Sequence, residues 1–274
     1  MRLLALTLLT LCAFAANSIL TRAALTEGAA TPLVFAALRV ASGAAMLVLL
    51  LRLQGRPLPP PRPGAVLALA AYMLGFSLAY LDLAAGAGAL ILFGGVQITM
   101  FAGAALMGED LPPRRIAGAA LAFAGLVWLM LPAAGAVPGA LPAALMLVAA
   151  LGWGLYSLAG KSAADPLAAT ASNFLWTLPL VALPLLWTGA PSPSPTGWLL
   201  ALTSGAVTSG LGYALWYALL PQLGAARAAV AQLAVPVIAL IAGALLLAER
   251  PAPAALAAAT LVLAGVALAS RSPR

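Results

Sequence analysis

Glu109 to Leu126 reads EDLPPRRIAGAALAFAGL, and Glu249 to Val266 reads ERPAPAALAAATLVLAGV. Laid over one another at one fixed offset, Glu109 falls on Glu249, Pro113 on Pro253, Leu121 on Leu261 and Gly125 on Gly265. Alanine matches carry little weight in an alanine-rich chain, but the Glu, Pro and Gly matches do. The same unit therefore occurs twice, and a repeat of this kind decides a fold before any single residue does.

Upstream, the two copies keep corresponding. Phe14-Ala15-Ala16-Asn17 through Arg22 lies over Trp153-Gly154-Leu155-Tyr156 through Lys161, and both blocks end in a cation. Pro32 and Arg39 have the spacing of Pro166 and Asn173, and Gly86-Ala87-Gly88 lies over Gly224-Ala225-Ala226. The apolar start with Ala13-Phe14-Ala15 has the look of a secretion signal. Its match to the run at 139–160 makes residues 1–22 a span that stays.

Of the 274 residues, 64% are hydrophobic and 7% charged. A soluble domain carries roughly 25% charged residues, so lipid must be the solvent for most of this chain. A hydrocarbon core of about 30 Å takes about 20 apolar residues in helix. Ten runs qualify: 3–22, 32–52, 64–83, 86–107, 114–131, 139–160, 167–187, 197–219, 226–248 and 252–270. Breakers separate them, as in the proline-rich Gln54–Pro63 and in Pro191-Ser192-Pro193-Ser194-Pro195. The expected fold is an all-α polytopic membrane protein of ten transmembrane helices. Residues 1–134 and 135–274 form its two five-helix repeats. Five is odd, so the second half enters the membrane from the opposite side, as in the inverted repeats of secondary transporters.

Net charge is +7. Ten spans put both termini on one side, with Arg2, Arg52, Arg56, Arg62, Arg114, Arg115, Lys161, Arg227, Arg271 and Arg274. The other side has Arg22 and Arg250. Cytoplasmic loops collect Lys and Arg, so both termini are expected in the cytoplasm. Charges spread between apolar runs do not make a nucleic-acid-binding face. With no histidine, His-ligated metal sites and Ser-His-Asp triads are excluded. The single Cys12 forms no internal disulfide. No cofactor and no catalytic constellation is expected, so the chain is not read as an enzyme.

The block Leu223-Gly224-Ala225-Ala226-Arg227-Ala228 to Gln232, then Pro236, Leu247-Ala248-Glu249-Arg250 and Leu263-Ala264-Gly265, resembles the EamA repeat of the drug/metabolite transporter superfamily. Trp153-Gly154 with Lys161 is similar to the start of that repeat. The resemblance covers nearly the whole chain, and its overall look is similar to bacterial amino-acid exporters, including the aromatic amino-acid type. It implies ten helices, cytoplasmic termini, a place in the bacterial inner membrane, and export of aromatic or other neutral amino acids and related metabolites. The first half departs from the pattern with Phe14-Ala15 for Trp-Gly, and with Gly94-Gly95-Val96 where the second half has Ala234-Val235-Pro236.

Candidate substrate-binding residues follow from helical spacing. Tyr72, Phe76 and Tyr80 share one face of the third run, and Tyr213, Trp216 and Tyr217 share a face of the eighth. Phe76, Tyr80, Tyr213 and Tyr217 suit a cavity for an aromatic side chain, the alternative being lipid packing. Asn17, Gln97, Asn173 and Gln232 are intramembrane amides, and Trp153 and Tyr156 share a face at the position matching Asn17. Each amide either meets substrate or bridges helices. Arg39 lies about 10 Å into the second run, at about 1.5 Å per residue. A charge there needs a partner: a substrate carboxylate, Asp82, Glu249, or the outer interface. Trp128, Trp187 and Trp198 at span ends read as an interfacial belt. Glu109 and Glu249 are expected to fix their helix hairpins.

Glu27, Asp82, Glu109, Asp110, Asp165 and Glu249 all fall near span ends, which favours facilitated uniport over proton coupling. The alternatives are a proton-coupled multidrug or metabolite exporter and a carrier of another metabolite, such as a nucleotide sugar. The latter wants several buried cations, and only Arg39 lies well inside a run, away from its ends. The expected partners are a small neutral or aromatic amino acid and the bilayer, with no nucleic acid.

Overall fold

The structure, a computed structural model, describes residues 2–109, 112–129, 139–250 and 253–270. Asp110, Arg271, Arg274, the end of the fifth run and the expected boundary at 134/135 lie outside the described residues, as does the side chain of Arg115.

Every described element is helical. The order is α1 (Arg2–Thr26), α2 (Pro32–Leu53), α3 (Pro63–Ala79), α4 (Ala85–Leu106), α5 (Pro113–Leu129), α6 (Ala140–Lys161), α7 (Pro166–Ala182), α8 (Leu185–Thr188) and α9 (Pro195–Thr203). A π-helical stretch (Ser204–Leu211) continues into α10 (Gly212–Leu223), followed by α11 (Ala225–Gln232), α12 (Val235–Leu246) and α13 (Pro253–Ser270). Helices α2, α3, α5, α7, α9 and α13 each start on proline, whose missing N–H has no helical partner there anyway. Asp165 Oδ1 accepts from Ala168 N at 3.0 Å and Ser194 Oγ from Gly197 N at 3.1 Å, capping α7 and α9.

Among the described residues, seven helical stretches are long and apolar enough to cross a membrane. They are Arg2–Thr26, Pro32–Leu53, Ala85–Leu106, Ala140–Lys161, Pro166–Thr188, Pro195–Leu223 and Arg227–Leu246. Three shorter apolar helices are Pro63–Ala79, Ile116–Gly125 and Leu256–Gly265. The seventh and ninth runs are each broken, at Leu183-Pro184 and at Leu233-Ala234 just before Pro236. Large apolar side chains such as Leu106 and Leu245 are exposed, which water would penalise and lipid does not. The chain is an all-helical, multi-pass membrane protein.

Helix α2 packs on α7, α4 on α12 and α5 on α13. Helix α3 lies along α6, while α1 lies along the π-helical stretch and α10. Each of these pairings persists when every run is exchanged for the one five places on. The closest approach shows the same exchange. A Cβ on Gly125 would lie 3.1 Å from Ala258 O and 3.4 Å from Val262 N. A Cβ on Gly265 would lie 2.4 Å from Gly118 O and 2.8 Å from Ala122 N. Residues 118 and 122 stand to 258 and 262 as Gly125 stands to Gly265, so α5 and α13 press on each other reciprocally.

Candidate functional site

Helix α2 carries Arg39 into the centre of the bundle, where its side chain is fully buried. Its Nε donates to Ser209 Oγ at 2.7 Å. Its Nη2 donates to the hydroxyls of Tyr72 at 3.0 Å and Tyr213 at 2.6 Å. The guanidinium carbon lies 4.9 Å from the ring centre of Phe76 and 5.4 Å from that of Tyr72, within cation–π range. Nη1 is buried without a hydrogen-bond partner.

Neither acid that the sequence offered as a partner reaches Arg39. Asp82 is exposed, and Glu249 pairs with Arg22. Arg39 does not snorkel to an interface either, because the side chain points among aromatic rings. A buried cation held only by neutral hydroxyls carries a desolvation penalty of several kcal/mol, which a proximate anion would offset.

The π-helical stretch aims Ser209 at Arg39. Its wider turn inserts an extra residue into the helical path, a feature common at functional sites. Glycine permits the approach: a Cβ on Gly205 would fall 2.1 Å from Arg39 O. Asn17 on α1 pins the stretch. Its Oδ1 accepts from Ser204 at 2.9 Å, from Ser209 at 3.1 Å and from the Thr208 hydroxyl, and its Nδ2 donates to Thr208 O at 3.4 Å. Ser209 gives its proton to Asn17 and its lone pair to Arg39.

Aromatic rings close around the cation. Tyr72, Phe76 and Tyr80 stack along α3 with successive centroids 5.2 and 4.7 Å apart. Tyr213 donates its hydroxyl proton to Tyr72 at 2.9 Å. The Tyr72-to-Phe76 spacing equals that from Tyr213 to Tyr217, so the two stripes meet at matching residues. Phe14 and Trp153, matched in the sequence, also touch, with centroids 5.1 Å apart at 85°. Trp153 lies 4.4 Å from Tyr213, and Tyr156 lies 4.9 Å from Tyr217. The rings expected to line a cavity pack edge-on and tilted against one another.

A model of the EamA-like transporter family matches residues 140–271. An uncharacterized protein of Pseudomonas aeruginosa is 49% identical over 272 residues, covering 97% of this chain and 94% of that protein. This chain belongs to the EamA-like transporter family. An uncharacterized transporter of Archaeoglobus fulgidus is 26% identical over 253 residues, covering 88% of this chain and 89% of that one. A solved crystal structure aligns with a TM-score of 0.75 at 25% identity, covering 97% of this chain and 98% of its own. The EamA-family chain is thus a membrane transporter of small metabolites.

Of the candidate residues in this EamA transporter, Arg39, Phe76, Tyr80, Trp153, Tyr156, Tyr213 and Tyr217 form one cluster. Asn17 joins it through Ser209. Trp153 Nε1 donates to Gln232 Oε1 at 2.6 Å, and Gln232 Nε2 to Met100 Sδ at 3.2 Å, so Gln232 bridges helices. Gln97, one turn before Met100 on α4, is buried with both amide atoms unpartnered, and the Tyr156 hydroxyl is unpartnered too. Asn173 is buried on α7, with its side chain beside the hydroxyls of Tyr156 and Tyr217. Tyr80 is fully buried at the end of the stripe, with its hydroxyl donating to Ser18 Oγ at 2.8 Å or Ala85 O at 3.2 Å. Phe14 and Ser209 belong to the cluster and were not among the candidates, and Tyr72, placed on the aromatic face by its spacing but not in the expected cavity, belongs to it as well. Trp128, Trp187 and Trp198 are exposed, as a belt requires. Among the described residues, no group of acids or Cys could hold a metal.

Glu109 and Glu249 do more than fix their own hairpins. Glu249 lies 3.4 Å from Arg22 Nε and accepts from Ala85 N at 3.0 and 3.1 Å, capping α4. Arg22 Nη1 also donates to Tyr80 O at 3.0 Å and Leu81 O at 2.8 Å. Glu109 pairs with Lys161 at the end of α6. Arg22 matches Lys161 and Glu109 matches Glu249 in the sequence, so each pair is the other with the halves exchanged. They sit at the two ends of α4, whose 22 residues at about 1.5 Å each span about 33 Å.

Proposed function

We propose that the transporter exports small neutral or aromatic amino acids and related metabolites across the bacterial inner membrane by alternating access, as a uniporter with both termini cytoplasmic. The observation that carries this reading is Arg39. A fully buried cation with no acid partner among the described residues and both N–H groups of Nη1 free, ringed by aromatic side chains, fits a substrate that combines a carboxylate with an aromatic group. The carboxylate takes Nη1 and draws Arg39 off its tyrosines, which loosens the Tyr72–Tyr213 link between halves.

Reciprocal packing of α5 on α13, the ring pair Phe14–Trp153 and the hydroxyl pair Tyr72–Tyr213 all support ten spans in two inverted five-helix halves, 1–134 and 135–274. Transporters of that architecture bind substrate near the midplane between halves. The pairs Arg22–Glu249 and Lys161–Glu109 serve as outer and inner clasps, released in turn. Asn17, Gln97, Asn173, Trp153, Tyr156 and Tyr217 complete the lining as the rings part. Uniport is favoured because none of the five described acids is buried.

Uptake of labelled phenylalanine, alanine and glutamate by the purified protein in liposomes, with and without a pH gradient, tests this reading. Saturable phenylalanine uptake indifferent to the gradient is expected. Absence of saturable amino-acid uptake in folded, inserted protein would contradict it.

A further inference from the structure

A free amino acid brings an ammonium as well as a carboxylate, and Arg39 meets only the carboxylate. Resting on the reading that Arg39 receives the substrate carboxylate, we propose that the preferred substrate is an aryl carboxylate without an ammonium group, carried as a monoanion. Each turnover then moves one negative charge.

The inventory of charge carries the inference. Arg39 is the one charged side chain buried in the described bundle. The chain has six acids, and Glu27 and Asp82 are exposed. Glu109, Asp165 and Glu249 are engaged with Lys161, Arg56 and Arg22 at helix ends. Asp110, outside the described residues, is the neighbour of Glu109 in sequence. A monoanion against Arg39 makes the occupied site neutral. A zwitterion leaves a net positive charge and a second cation to be stripped of water, with no acid among the described residues to meet it.

Aromatic faces do not fill the gap. The guanidinium already lies over Phe76 and Tyr72. Trp153 has Tyr213 on one approach and Phe14 on another. The polar groups left unpartnered near the cluster are neutral: the Gln97 amide and the Tyr156 hydroxyl. They suit an oxo or hydroxyl substituent of the substrate rather than an ammonium. An interior-negative membrane potential drives such an anion outward, so export needs no coupled ion.

The test is current and uptake with the intact protein in liposomes at neutral pH, against protein-free liposomes, using phenylpyruvate, phenylalanine and phenethylamine. The expected result is saturable phenylpyruvate uptake with a current of inward negative charge, at least tenfold faster than phenylalanine, and no carrier-dependent phenethylamine uptake. Phenylalanine uptake equal to or faster than that of phenylpyruvate overturns this inference and leaves the Arg39–carboxylate reading standing. Uptake of phenethylamine alone, or of none of the three, overturns both.

Discussion

Arg39 Nη2 lies 2.6 Å from the Tyr213 hydroxyl, joining a residue of α2 to one of α10 across the middle of the bundle. The same nitrogen reaches Tyr72 on α3, and the two hydroxyls bond each other. One cation thus ties three helices at the place where a substrate carboxylate would compete for it. Removing a hydroxyl from a charged donor costs about 1–3 kcal/mol. Tyr213→Phe should lower the thermal unfolding temperature in detergent and cut transport severalfold. Tyr72→Phe should do the same, and the double variant should lose less than the sum, because the two hydroxyls share one partner. Strictly additive losses would argue against a shared role.

The two clasps should act in opposite directions. Partly exposed ion pairs contribute about 1 kcal/mol or less, so losing one shifts a two-state population by up to about fivefold. In a Cys12→Ser background, Ser18→Cys and Ser157→Cys report the two ends, since Ser18 meets Tyr80 and Ser157 meets Trp216. Glu249→Gln should raise labelling at position 18 by a membrane-impermeant maleimide applied outside. Glu109→Gln should raise labelling at 157 from the inside. Equal effects of both substitutions at both positions would contradict the clasp assignment.

The α5–α13 interface should be sensitive to volume and irrelevant to substrate. A Cβ at Gly265 meets the backbone of Gly118 and Ala122, whereas at Gly125 the nearest atom is the Leu261 side chain, at 2.8 Å. Overpacking of this sort costs about 1–3 kcal/mol. Gly265→Ala should destabilise more than Gly125→Ala in thermal unfolding, and neither should change the KM for transport.

Asn17→Ala should strand the hydroxyl protons of Ser204 and Ser209 in an apolar interior, while Thr208 keeps its bond to Ser204 O, at about 1–3 kcal/mol for the bonds not remade. Ser209 is then free to turn from Arg39, so transport should fall along with stability. Loss of stability with an unchanged KM would reduce Asn17 to a bridge between helices.

Much of this was legible in the sequence, and the exceptions have physical causes. Helical runs announce themselves because a span needs about 20 apolar residues and proline marks where six of the helices begin. The Tyr72–Phe76–Tyr80 stripe follows from a fixed period, and its meeting with Tyr213 follows from matching the two halves. Ser209 was hidden because the π-helical stretch breaks that period, so no 3.6-residue reading points it at Arg39. Phe14 read as a departure from the Trp-Gly pattern, yet it packs on Trp153 itself. Glu109 and Glu249 reach across to other helices, and local spacing says nothing about partners so distant in the chain.

The central claim is that Arg39 receives the substrate, and its most direct test is carboxylate uptake by Arg39→Gln beside the intact protein in liposomes, with folding checked by thermal unfolding. The account predicts a folded variant whose saturable uptake of phenylalanine and phenylpyruvate falls about 100-fold, the scale set by removing one buried, charge-assisted hydrogen bond to the substrate. A folded Arg39→Gln protein that moves either carboxylate at the original rate would contradict it.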